Sequence, residues 1–265
     1  MVRLTGNNMK QIPNIFTLFN LFFGCIAIVL TLQTESIILY SDEEFTNSFN
    51  IPEKMAFAAF FIFASAVIDF LDGFVARLFN VCSEMGKQLD SLADVVSFGV
   101  APGVILYQFL RISWMREQNG LDIPIIYLLP AFILSCAAAY RLAKFNIDTT
   151  QKYAFKGVPT PGVGLLIASF PLMLHYGGGL VDINQWLINK WVLYCLIIIL
   201  SWLMVCNLSI LSLKFKDYTL KNNLPKVILM GIAVISIPIL HWLAIPVIFI
   251  AYIILSLFFK NKSIT

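Results

Sequence analysis

The chain has 265 residues, of which 59% are hydrophobic and 12% charged, a balance that excludes an ordinary soluble domain. Its net charge of +3 gives no basis for a nucleic-acid partner. Two histidines and five scattered cysteines, none in a CxxC pair, exclude the usual zinc spacings.

Residues 1–13 are polar or amphipathic and are expected to lie along a membrane surface as a juxtamembrane segment. They show no cleavage site after a short apolar core, so no signal peptide is read there. Apolar segments then follow at roughly 14–33, 55–79, 90–111, 123–146, 161–177, 191–213, 225–240 and 242–259. The last two are short and are expected to form a tight hairpin around His241. The expected fold is all-α, a polytopic transmembrane bundle of about eight spans in one domain over 1–265. Residues 14–177 would form its core and 191–259 additional spans. With the N-terminus cytoplasmic, fourteen lysines and arginines fall inside, and Lys54, Arg111, Arg116 and Lys190 fall outside. That bias sets the orientation, and it places the acidic loop of Asp42, Glu43 and Glu44 outside.

Four aspartates stand where hydrocarbon should not tolerate them. Asp69 and Asp72 are spaced i, i+3 at the end of the second segment, and Asp90 and Asp94 are spaced i, i+4 at the start of the third. Each pair shares a helix face, and a carboxylate in or near a membrane is rarely kept without a function. Two such faces opposed would gather four carboxylates that hard divalent ions can neutralise. Asp69, Asp72 and Asp90 could hold two ions close together, which suits a diphosphate. Gly73 and Ala76 leave room beside Asp72 for a closely approaching ligand. Arg77 could contact phosphate. Gly86, Asp90 and Asp94 share one face, and Asp94 is the natural general base because no histidine lies nearby. The rival class is an ion pathway such as a divalent-cation transporter, which has no reason to keep Gly73, Ala76 and Arg77.

The pattern DxxDGxxARx8GxxxDxxxD, from Asp69 to Asp94, resembles the signature of the CDP-alcohol phosphotransferases at every position. The resemblance implies an integral membrane enzyme that displaces CMP from a CDP-linked substrate with an alcohol. It implies that Asp69, Asp72 and Asp90 are ligands to two divalent ions, Mn2+ or Mg2+. It further implies that Asp94 is the base and lies near the second ion, and that a cytidine pocket surrounds Asp72, Gly73, Ala76 and Gly86. Pro13-Asn14-Ile-Phe-Thr17 is similar to a family element near the first span. It would place Asn14 and Thr17 beside the nucleotide phosphates, although Asn14 alone reads more often than not as a helix N-cap. A homodimer is also implied, while the lysine and arginine bias puts the four aspartates, and so the active site, at the cytoplasmic face of the cell membrane.

Three further stretches resemble the phosphatidylserine synthase branch of the family. They are Ser97-Phe98-Gly99-Val-Ala-Pro102-Gly103, Tyr140-Arg141-Leu-Ala-Lys144-Phe-Asn146 and Phe155-Lys156-Gly157-Val-Pro159-Thr160-Pro161. The substrates implied are CDP-diacylglycerol and serine. Arg141 could clamp a carboxylate bidentately, with Lys144 nearby, or the two could be topological anchors. Ser97 could position the amino acid or bond back to residue 93 within its helix. Pro159 and Pro161 read as loop stiffeners. Glycerol phosphate or inositol phosphate remain as alternative acceptors.

Overall fold

The computed structural model describes residues 12–33, 53–78, 83–116, 122–147, 155–177, 184–211 and 220–259. The expected surface segment up to residue 11, the acidic loop with Asp42, and residues 79–82 between the aspartate pairs lie outside them.

Helix α1, Ile12–Leu32, opens with Pro13, which suits a first turn whose N–H groups have no helical partner. Its buried positions are 13, 17, 20, 24, 27 and 31, the spacing of one helical face. That face meets α2, Glu53–Leu78, which buries Met55, Ala56, Ala58, Ala59, Ile62 and Ser65. Small residues on both sides let the two backbones approach, which is how helices associate when lipid is as apolar as their own side chains.

The third long helix is the centre of the molecule. It starts as α3, Glu84–Asp94, where the Ser83 hydroxyl accepts from the Gly86 N–H at 2.9 Å. It widens into a π-helical turn over Val95–Val100 and continues as α4, Ala101–Met115. The wide turn has a local cause: Pro102 has no N–H to give and its ring needs room one turn back. The Ala101 N–H accordingly bonds to Val96. In the most apolar 18 consecutive residues of Glu84–Met115, 72% are buried, against 28% in those of α2. Neighbouring helices reach it through missing side chains. A Cβ on Gly24 would strike Ser97, and one on Gly164 would sit 3.0 Å from Phe98.

The expected span at 123–146 begins as two 3-10 turns, Ile125–Tyr127 and Leu129–Phe132, and becomes helical only in α5, Ile133–Ile147. Pro124 and Pro130, which lack N–H groups, account for the late start. Helix α6, Thr160–Tyr176, has Pro159 at its N-cap and Pro161 in its first turn, so these prolines start a helix rather than stiffen a loop. After the short α7, Asn184–Leu187, comes α8, Lys190–Val205.

The expected span 191–213 is therefore too long. The carbonyl of Leu203, which a continuing helix would use, accepts from Val158 at 3.0 Å, and that of Leu208 accepts from Gly157 at 2.9 Å. Strand β1, Phe155–Lys156, pairs antiparallel with β2, Ser209–Ile210, in the register Phe155 to Ile210. Gly157 stands at φ 76°, and a Cβ there would meet the Met204 carbonyl. Apart from this two-residue pair, the described chain is helical.

Helices α9, Leu220–Leu240, and α10, Ala244–Phe258, pack on each other across a tight corner at His241, whose φ is 48°. This is the hairpin expected there. Among the described residues, five stretches are long and apolar enough to cross a membrane: Pro13–Leu32, Glu53–Leu78, Glu84–Met115, Ile125–Ile147 and Asn223–Phe258. The difference from eight lies in α6 and α8, of 17 and 16 residues, and in the bent C-terminal stretch. Phe22, Phe70, Trp202 and Ile235 are exposed on the outer faces, which belong in hydrocarbon. The chain has the build of an integral membrane protein.

Candidate active site

The aspartates meet where α1, the end of α2 and the start of α3 come together. Asp69, Asp72 and Asp90 each offer a carboxylate oxygen within 4.8 Å of the other two. Asp69 also lies within hydrogen-bonding reach of Asp94. Asp72 and Asp94 are buried, while Asp69 and Asp90 are half-buried. Helix α1 supplies neutral donors. The Thr17 hydroxyl lies 2.8 Å from Oδ2 of Asp72, and Asn20 Nδ2 donates to Oδ1 of Asp94 at 3.2 Å. Three hard oxygen donors this close, with neutral donors beside them, fit divalent cations such as Mg2+ or Mn2+.

The residues expected to line a nucleotide pocket gather at the same end. Asn14 lies inside α1 rather than at its N-cap, and its Oδ1 is 2.9 Å from where a Cβ on Gly86 would stand. The space beside Gly73 is open, since a Cβ there would meet nothing within 4 Å. Ala76 is half-buried, and Arg77 is exposed in the last turn of α2.

The expected amino-acid residues separate into three environments. Ser97 is fully enclosed, and its hydroxyl donates to the Asn20 carbonyl at 2.9 Å. The back-bond to residue 93 is not what it makes; it ties the wide turn to α1. Arg141 is buried and donates through Nη1 to Oγ1 of Thr160 at 3.2 Å. Tyr252 and Asp94 are the ionisable groups within electrostatic reach of it. A topological anchor would extend to the headgroups instead. Lys144 does lean outward, donating to Oδ1 of Asn207 at 2.7 Å. Lys87 and Ser91 of α3 meet Asn146 of α5, so the basic ends of these helices share one end of the bundle with the aspartates.

Sequence reasoning passed over Asn20 and Ser65, and gave Thr160 no role beyond its place in a branch-like stretch. The signal for Asn20 was present: Asn14, Thr17, Asn20 and Gly24 follow one helical face within an otherwise apolar run. Ser65 donates to the Asn20 carbonyl at 3.1 Å, so one residue of α1 is bonded to both α2 and the wide turn.

Known proteins resemble this arrangement in sequence. The family model for CDP-alcohol phosphatidyltransferases matches residues 10–212. A CDP-diacylglycerol–serine O-phosphatidyltransferase of Bacillus subtilis (strain 168) is 33% identical over 64% of this chain and 82% of its own length. Its namesake in Methanocaldococcus jannaschii is 32% identical over 75% of this chain and 72% of its own. One from Helicobacter pylori (strain J99) is 32% identical, and the match spans 61% of this chain but little over half, 57%, of that relative. On the length of the family match and the convergence of its aspartates, the chain belongs to the CDP-alcohol phosphatidyltransferase family and is an enzyme of the transferase class.

Proposed function

We propose that this chain transfers the phosphatidyl group of CDP-diacylglycerol to the hydroxyl of L-serine, forming phosphatidylserine and releasing CMP. The observation that carries the reading is the meeting of Asp69, Asp72 and Asp90 from two helices within 4.8 Å, beside the buried Asp94. The serine assignment is supported by relatives from bacteria and an archaeon that bear that name.

Two divalent ions, Mn2+ or Mg2+, held by Asp69, Asp72 and Asp90 with Asp94 at their edge, would offset the diphosphate charge and stabilise the departing CMP. The chain's own residues do the rest. Thr17 orients Asp72, and Asn20 orients Asp94. Asn14, Thr17, Gly73, Ala76, Arg77 and Gly86 surround the CDP portion. Asp94 takes the proton of the serine hydroxyl, whose oxygen forms a bond to the lipid-side phosphorus as the bond from that phosphorus to CMP breaks. The electron pair leaves with CMP. Arg141 binds the serine carboxylate, with Ser97 holding the wall behind it and Lys144 marking the pocket's rim.

The same reading gives one catalytic domain with residues 14–177 at its core and 191–259 as further spans. It gives about eight spans when α6, α8 and both halves of the hairpin each count, a cytoplasmic N-terminus and site, and a homodimer. Glycerol phosphate and inositol phosphate remain the alternative acceptors. The test is CMP release in detergent with CDP-diacylglycerol, manganese and each alcohol in turn. Serine should be the acceptor used best. Release with glycerol phosphate or inositol phosphate but not with serine would reassign the substrate. Metal binding without any CMP release would favour a transporter.

A further inference from the structure

Two enclosed polar atoms have no hydrogen-bond partner: Oδ1 of Asn20, whose Nδ2 donates to Asp94, and Nε of Arg141, whose guanidinium is within electrostatic reach of Asp94. Asn20 is 0% exposed and Arg141 8%. Buried polar atoms are nearly always satisfied, so an orphaned pair beside a reactive carboxylate calls for an explanation. The orientation of the Asn20 amide is set by its neighbour. The Asp94 carboxylate accepts, so the atom facing it is the NH2 group and the free atom is the oxygen. The main chain of Asn20 has separate work, since its carbonyl takes the hydroxyls of Ser65 and Ser97. Joining the three helices therefore does not need the side chain.

The two orphans are complementary. Asn20 Oδ1 wants a donor, and the Arg141 guanidinium wants an anion. Both act on Asp94, one by a hydrogen bond and the other through its charge. An amino alcohol that carries a carboxylate supplies both, its ammonium for Asn20 and its carboxylate for Arg141, while its hydroxyl goes to Asp94. An alcohol with phosphate as its only charged group would leave Asn20 without a charged donor.

We infer that Asn20 is a specificity-determining residue, whose Oδ1 accepts from the ammonium of the acceptor while its Nδ2 positions Asp94. This rests on the reading that serine is the acceptor. The test is CMP release from the detergent-solubilised full chain with saturating CDP-diacylglycerol and three acceptors. These are serine, 3-hydroxypropanoate (serine without its amino group) and ethanolamine (serine without its carboxylate). The wild type should favour serine over 3-hydroxypropanoate in kcat/KM by about tenfold to a hundredfold, the effect of one charge-assisted hydrogen bond. Asn20→Leu keeps the branched outline and removes both the acceptor and the donor to Asp94, so all rates should fall, but that ratio should fall about tenfold or more while the ratio of serine to ethanolamine holds. Asn20→Asp keeps an oxygen for the ammonium and loses the donor to Asp94, so kcat should drop while the serine preference stays. An equal loss with all three acceptors in Asn20→Leu would reduce Asn20 to a packing residue and overturn the inference. Should that variant not fold, a serine preference that disappears in Asn20→Asp would overturn it equally. Failure of the wild type to use serine at all would overturn the substrate reading and this inference together; failure confined to the ratios overturns this inference alone.

Discussion

The central helix Glu84–Met115 and the C-terminal hairpin Asn223–Phe258 are alike in length, 32 and 36 residues, and both are apolar enough to span a bilayer. Yet in the most apolar 18 consecutive residues of each, 72% of the first are buried and 11% of the second. The central helix carries Asp90 and Asp94 and is approached by Gly24 and Gly164 of its neighbours. The hairpin is attached along one side only, by Trp242, Phe249 and Ile253 against the core and by polar bonds from Tyr252 to the Leu211 carbonyl at 2.9 Å and from the Leu211 N–H to Ser256 at 3.1 Å. The family match ends at residue 212, before the hairpin starts. Hydropathy alone would treat the two as equivalent spans. What separates them is that a charged site has to be shielded on all sides by protein, whereas an apolar hairpin is shielded by lipid.

The sharpest way to break that contrast is to remove a charge from the central site. Asp69→Asn, Asp72→Asn or Asp90→Asn should each lower turnover by about a thousandfold or more and weaken metal binding. A manganese titration of CMP release reads both effects, and excess chelator should silence the wild type. Turnover near wild type in any one variant would take that residue out of the metal set.

Asp94→Asn should have the next largest effect, a fall in kcat of about 10²–10⁴-fold, because an amide cannot take a proton. The KM for CDP-diacylglycerol should change little. If that KM rises as much as kcat falls, Asp94 holds the lipid substrate rather than acting as the base.

Arg141→Lys should raise the serine KM about tenfold to a hundredfold and leave the CDP-diacylglycerol KM in place, since lysine keeps the charge but loses the planar fork. An unchanged serine KM would return Arg141 to the role of anchor. The smallest effect belongs to the hairpin. Tyr252→Phe removes the donor to Leu211 and should lower stability by about 1 kcal/mol, a shift of about 2–4 °C in Tm, with kcat unchanged. Tyr252 also lies within electrostatic reach of Arg141. A serine KM altered as strongly in Tyr252→Phe as in Arg141→Lys would make the hairpin part of the site and end the contrast.

Much of this was legible in the residues themselves. A 3.6-residue period and a few aspartates at i, i+3 and i, i+4 were enough to put Asp69 with Asp72 and Asp90 with Asp94, and the structure opposes the two pairs. The corner at His241 was readable from two apolar runs each too short to be a comfortable span. What the residues hid depends on contacts distant in sequence. The end of α8 at Val205 is decided by Gly157 and Val158, about fifty residues earlier, which take the carbonyls of Leu208 and Leu203. Ser97 read as a site residue because it follows Asp94 by three. The wide turn instead directs it to a backbone carbonyl of α1. Asn20 escaped notice because a single amide in an apolar run says nothing until its partner Asp94, 74 positions away, is brought beside it.

The wide turn at Val95–Val100 also sets the phase of the molecule. An α-helix advances roughly 100° per residue, so one surplus residue in a turn rotates everything before it relative to everything after it. Here the part before carries Asp90 and Asp94, and the part after is clamped in the core by Ile105, Leu106 and Phe109. Shortening the turn by one residue would leave composition, hydropathy and the aspartate side chains almost untouched. It would swing the carboxylates of α3 around the helix axis, out of line with Asp69 and Asp72. The enzyme's alignment thus resides in a hydrogen-bond offset within apolar sequence, and a one-residue deletion there should be more damaging than many substitutions in the pocket itself.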